Sequence, residues 1–159
     1  MSSPQQSLIA VLEQAQEARD EAMALFESSR KAHEAARQQL QSLHDFRRQY
    51  EVRWQGQFRQ SGGVEIIRCY QEFMTRLTDA ENEQQRRVDH CEQAMNRRRS
   101  ELIERERKVA AVNQLLKRRE DELALRERRR DQKATDELAA RLISSPSPMQ
   151  APTLPSGHA

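Results

Sequence analysis

The side chains best suited to nucleophilic, acid–base or metal chemistry are four histidines, His33, His44, His90 and His158, and two cysteines, Cys69 and Cys91. Their spacing fits none of these tasks. The histidines do not fall at ligand-like intervals from the cysteines or from carboxylates, and neighbours such as His90 and Cys91 leave a helix on different faces. Only four glycines occur, and no P-loop, GxSxG motif or glycine-rich phosphate loop is present. The sequence therefore predicts a protein that is not an enzyme, with no cofactor and no metal. The chemistry it can do is recognition.

Two groups of residues carry that chemistry. Six of the seven aromatics lie between Phe46 and Phe73, and Phe46, Tyr50, Trp54 and Phe58 follow one another at i, i+4 spacing. On a helix these form one stripe, which Tyr70 and Phe73 return to meet. Two readings stand: the rings pack the end of a hairpin, or they form a protein-binding surface with Gln39, Leu43, Leu77, Ala80 and Gln84 beside them. The second group is basic. Arg97 to Lys133 holds fourteen Arg or Lys against eight Asp or Glu, a net +6, while the rest of the chain sums to −4. Its densest run is Arg126, Glu127, Arg128, Arg129, Arg130, Asp131, Gln132 and Lys133. This is either a solvated helix face laced with i, i+4 pairs or a surface that docks on an acidic protein. Interspersed acids and the lack of stacking aromatics argue against nucleic acid.

The elements that position these groups are written in proline and glycine. Between Pro4 and Pro146 there is no proline, and Gly56, Gly62 and Gly63 are the only glycines. Both residues interrupt helices, so their placement predicts two very long helices joined by one turn. With 33% charged, 36% hydrophobic and 4% aromatic residues, the chain is too polar for a thick core and suits a coiled coil. The fold class is all-α: an antiparallel two-helix coiled-coil hairpin over 1–143, with a longer second helix. Helix one is expected over about 4–55, the turn over about 56–63 and helix two over about 64–143. Residues 144–159, rich in proline and serine, read as a disordered tail.

Helix one starts with a capping box, Ser3 to Gln6, with Pro4 at the first helical position. Its heptad track runs Leu8, Val11, Ala15, Ala18, Ala22, Leu25, Ser29, Ala32, Ala36, Gln39, Leu43, Phe46 and Tyr50, widened by Leu12, Phe26 and Leu40. Glycines of the turn supply positive φ, and Ser61 or Gly63 starts helix two. Its track is Ile67, Met74, Glu81, Val88, Met95, Leu102, Val109, Leu116 and Leu123. The alternate positions, Tyr70, Leu77, Cys91 and Val112, give way to Arg98, Arg105, Arg119 and Arg126. Folding at Arg59 and Gln60 sets Phe46 opposite Phe73 and Leu8 opposite Ala111. It leaves Leu116, Leu123, Leu138 and Leu142 without a partner.

Two cysteines without a CxxC motif give no disulfide framework, and a reducing compartment is the simpler expectation. No run approaches the roughly 18 apolar residues of a transmembrane helix, so membrane association is expected through partners, with no direct insertion.

Three stretches carry a resemblance to the FliJ family of the flagellar type III export apparatus. Residues 39–50, QLQSLHDFRRQY, resemble that family's QL..L..Y..EY pattern, with Phe46 and Gln49 in place of Tyr and Glu. Residues 69–77, CYQEFMTRL, resemble its YQ.F...L pattern, and residues 130–137, RDQKATDE, its DQK..DE segment. The likeness covers roughly residues 5–142. It implies a non-enzymatic stalk, similar to the central subunit of rotary ATPases, that serves protein export during flagellum assembly and hence motility. The implied partners are a hexameric export ATPase (FliI-like), an export-gate membrane protein (FlhA-like) and export chaperones. The implied location is the cytoplasm, held peripherally at the inner membrane by partners. The resemblance carries the gate-binding cluster onto Gln39, Leu43, Phe46, Tyr50, Phe73, Leu77, Ala80 and Gln84. ATPase binding is expected at Arg126, Arg128, Arg129, Arg130 and Lys133, together with the start of helix one. The stalk of a non-flagellar type III secretion system and a generic coiled-coil scaffold are the competing readings.

Overall fold

The computed structural model describes residues 3–60, 63–145 and Gly157. Two helices account for nearly all of them: α1, Pro4–Gln60, and α2, Val64–Ser144. They pack against each other as a hairpin, and α2 is the longer. The chain divides into two units, Met1–Asn113 and Gln114–Ala159.

In the first unit α1 begins as its residues dictate. Gln6 donates its backbone N–H to Ser3 Oγ at 3.2 Å, and Gln6 Oε1 accepts from the Ser3 backbone N–H at 3.1 Å. This reciprocal pair satisfies donors that a helix start otherwise leaves open. At the other end α1 runs on to Gln60, past the boundary expected near residue 55. Gly56 is helical, has no positive φ and would meet nothing within 4 Å if it carried a Cβ. One glycine costs a helix only about 1 kcal/mol, and the rings flanking Gly56 offset that by packing. Trp54 lies 5.5 Å from Phe58 and 5.4 Å from Tyr70. Residues 56–60 of the expected turn are thus helical. Ser61 and Gly62 of that turn lie outside the described residues. Gly63 also lacks positive φ, and its carbonyl accepts the Ile67 N–H at 3.3 Å, which opens α2.

Because α1 is longer than expected, the chain folds back later and the pairing offset grows. Phe46 does meet Phe73, with ring centroids 6.1 Å apart. Further down, however, Arg19, Asp20 and Met23 share a groove with Glu106, Val109, Ala110 and Asn113. That groove does not include Leu8, which the sequence sets opposite Ala111. The seam buries Ala15, Ala22 and Ala36 from α1 and Leu77, Gln84, Val88, Met95, Val109 and Val112 from α2. Among the described residues no large side chain is wholly enclosed, as a core only two helices thick requires. Alanines on one side let the backbones approach. Val11 and Leu25, on the predicted track, remain exposed at 41% and 45%.

In the second unit α2 continues to Ser144, where Ser145 donates both its N–H and its Oγ to the Arg141 carbonyl. Leu116 is half-buried, and every residue from Lys117 to Ser145 is exposed. Of the tail expected over 144–159, residues 146–156, His158 and Ala159 lie outside the described residues.

Candidate functional site

The aromatic end of the hairpin is a continuous ladder of rings. Phe46 stacks on Tyr50 at 5.9 Å, Tyr50 lies 4.0 Å from Phe73 and 5.7 Å from Trp54, and Phe58 meets Tyr70 edge-on at 5.5 Å. The i, i+4 stripe of α1 supplies one rail and α2 the other. Both readings of the rings hold in part, because two helices cannot enclose so many. Tyr50, Trp54, Phe58, Tyr70 and Phe73 are half-buried, and Phe46 keeps 46% of its surface exposed.

The eight residues expected to form a gate-binding cluster divide in two. Gln39, Phe46 and Ala80 are exposed, and Leu43, Tyr50 and Phe73 are half-buried at the edge of the seam. Leu77 and Gln84 are buried. Gln84 donates its side-chain N–H to the Ala36 carbonyl on α1 at 3.0 Å, so its amide is satisfied across the seam. Gln39 and Gln84 line one shallow groove with Ala32, Ala35, Ala36 and Cys91. Leu77 and Gln84 hold the two helices in place, and the other six present the surface.

One feature of this end escaped the sequence reading. Arg47 reaches from α1 to donate to Glu81 Oε1 at 2.9 Å and to the Thr78 hydroxyl. His44 Nδ1 lies 3.8 Å from the other Glu81 oxygen. Glu81 and Gln84 occupy seam positions where the heptad asks for apolar residues. That double interruption, three residues apart, was the available signal: a polar residue at a seam position specifies register at a cost in stability.

The basic arm differs in kind. Arg126, Arg128, Arg129, Arg130 and Lys133 are all exposed. Among the described residues none of these five joins an ion pair, whereas pairs such as Arg30–Glu27, Arg86–Glu83 and Arg98–Glu101 lace the hairpin. Five cations on one to two helical turns with no acid held against them suit a fixed anionic partner. Nearby polar groups bond within the helix, Thr135 Oγ donating to the Asp131 carbonyl at 2.8 Å.

Among the described residues no three His, Cys, Asp or Glu side chains gather as a metal site needs. Cys69 is exposed, Cys91 is half-buried, and both are free thiols. Among the described residues no helix is long and apolar enough to cross a membrane.

No curated protein and no solved structure matches the chain. The family model described as flagellar FliJ protein matches residues 4–147, which span both helices and the turn between them. Members of that family are non-enzymatic structural components of the flagellar export apparatus. The chain therefore belongs to the FliJ family.

Proposed function

We propose that this chain is the coiled-coil stalk that couples an export ATPase ring to the export gate during flagellum assembly. The basic arm docks in the hexameric, FliI-like ATPase through Arg126, Arg128, Arg129, Arg130 and Lys133, and promotes its assembly and activity. The aromatic edge formed by Gln39, Leu43, Phe46, Tyr50, Phe73 and Ala80 engages the FlhA-like gate protein, and export chaperones bind the same stalk. The chain acts in the cytoplasm, held at the inner membrane by these partners. One observation carries the reading: a single pair of helices bears two exposed surfaces of different chemistry, apolar–aromatic in one unit and cationic in the other. Each suits a different partner. The hairpin supplies the stiffness, since its helices are tied by rings and by the Arg47–Glu81 bridge.

ATP hydrolysis by the export ATPase of the same organism, with and without the purified chain, tests this. Stimulation is expected, and it should disappear when residues 115–142 are removed or when Arg128, Arg129 and Arg130 are reversed to Glu. Stimulation that survives both changes would take the arm out of the ring. A second reading, a dimeric scaffold, draws on Leu123, Leu138 and Leu142, which are exposed at 45%, 60% and 79%. Light scattering separates the two, because a stalk is monomeric alone.

A further inference from the structure

The extreme end of the hairpin carries an apolar surface that the gate-binding edge does not use. Val52, Val64 and Ile67 are exposed at 69%, 78% and 43%. Phe58, Ile67, Tyr70 and Gln71 line a shallow notch, and Trp54 lies 5.4 Å from Tyr70. Around this apolar end stand Arg53, Arg59 and Arg68, all exposed and, among the described residues, none in an ion pair. Glu65 is the only acid between residues 52 and 70, which leaves that segment at +2, with Glu51 and Glu72 just outside it.

We propose that the hairpin end docks directly on an anionic lipid surface. Val64 and Ile67 enter the boundary between headgroups and acyl chains, Trp54 and Tyr70 sit at headgroup depth, and the three arginines meet lipid phosphates. The chemistry matches residue by residue. Tryptophan and tyrosine are amphipathic rings suited to that interface, exposed aliphatics gain by leaving water there, and arginines bind anionic headgroups in proportion to the surface charge. Placement favours lipid over a protein partner. Arg53 and Arg59 are six residues apart and leave α1 on different faces, while Arg68 is on α2. A protein would have to bring acids around both helices, whereas a lipid surface offers phosphates at every azimuth about the tip. This contact is separate from the gate-binding edge and does not depend on the stalk reading.

Trp54 is the only tryptophan, so its emission reports on this end alone. The full chain is titrated with phosphatidylcholine vesicles containing about one third phosphatidylglycerol, and with pure phosphatidylcholine vesicles as the reference. The expected result is a blue shift of Trp54 and co-sedimentation with the anionic vesicles only, weakening as salt rises. Val64→Asp with Ile67→Asp, and separately Arg53→Glu with Arg59→Glu, should each weaken binding by more than about tenfold. All four side chains are exposed, so circular dichroism should be unchanged. An unshifted Trp54 overturns the proposal, even with co-sedimentation, because the basic arm would then be the lipid-binding part. So does binding that survives the Val64 and Ile67 changes. If those variants lose gate protein and keep vesicle binding, the end is a protein contact instead.

Discussion

The hairpin and the arm share one helix, α2, yet the two regions are stable for different reasons. Among the described residues every buried one, from Ala15 to Val112, belongs to the first unit. Up to Asn113 the helix is held by packing: Leu77, Val88, Met95, Val109 and Val112 are at least nine-tenths buried. Over residues 117–144 it is held by composition, because Leu, Ala, Arg, Glu and Lys are strong helix formers and the segment has no glycine or proline. Packing fixes a shape, whereas propensity keeps a surface helical and available. A stalk needs both, the first where it must be stiff and the second where a partner must supply the contacts.

The largest expected effects test this division. Leu77→Ala should cost the hairpin about 2–5 kcal/mol, the range for emptying a buried leucine site. Leu138→Ala, at 60% exposure, should shift stability by less than about 0.5 kcal/mol. Urea denaturation followed by circular dichroism measures both. An equal loss in the two variants would mean that Leu138 is covered in solution, and the division would break. Next comes the Arg47 bridge. Glu81 is only 14% exposed, so Arg47→Ala leaves a largely buried carboxylate short of its strongest donor. Charge-assisted hydrogen bonds of this kind are worth about 1.5–3 kcal/mol. A double-mutant cycle with Glu81→Gln should return a coupling of about 1 kcal/mol or more, and additive losses would deny the bridge any energetic role.

The architecture was legible because each of its signals is local. Ser3 and Gln6 announce a cap that forms as read, the proline-free span announces long helices, and the i, i+4 rings announce an aromatic ladder. Phe46 and Phe73 meet as expected. What resisted reading was register. It depends on where α1 ends, and the aromatic packing of Trp54 and Phe58 carries the helix through Gly56, against the glycine's own preference. A shift of a few residues is invisible to heptad counting but changes which residues face each other along the whole seam. The same limit explains the candidate site. Sequence likeness brings Leu77 and Gln84 into a binding cluster, yet the seam buries both, because a heptad position says which way a side chain leans and not how deeply its neighbours cover it. Phe46 shows the converse, lying on the seam track while nearly half its surface stays open.

Smaller changes sharpen the comparison further. Ala134→Gly should cost the arm about 1 kcal/mol of local helix stability. Because that segment has no buried neighbour, the loss should appear as faster amide exchange around residue 134, with the hairpin's melting temperature unmoved. A lower melting temperature would show that arm and hairpin unfold as one cooperative block. The smallest effect belongs to Glu27. Arg30 donates to it at 2.5 Å, and that hydrogen bond holds the Glu27 carboxyl below its ordinary range. The sign follows directly. A carboxyl depressed on folding adds stability that is present above its unfolded pKa and disappears as pH falls through the lower, folded value. Whatever Glu27→Gln costs should therefore be complete above the usual glutamate range, and acid should erase the difference. Both partners are solvated, with about half of each side chain exposed, so salt and water screen the pair almost completely. At neutral pH and physiological ionic strength the variant should melt with the parent, and a small deficit should emerge only as salt is removed. A deficit that persisted in high salt would mean Glu27 contributes through packing, and would blur the line between a seam held by burial and a surface held by composition.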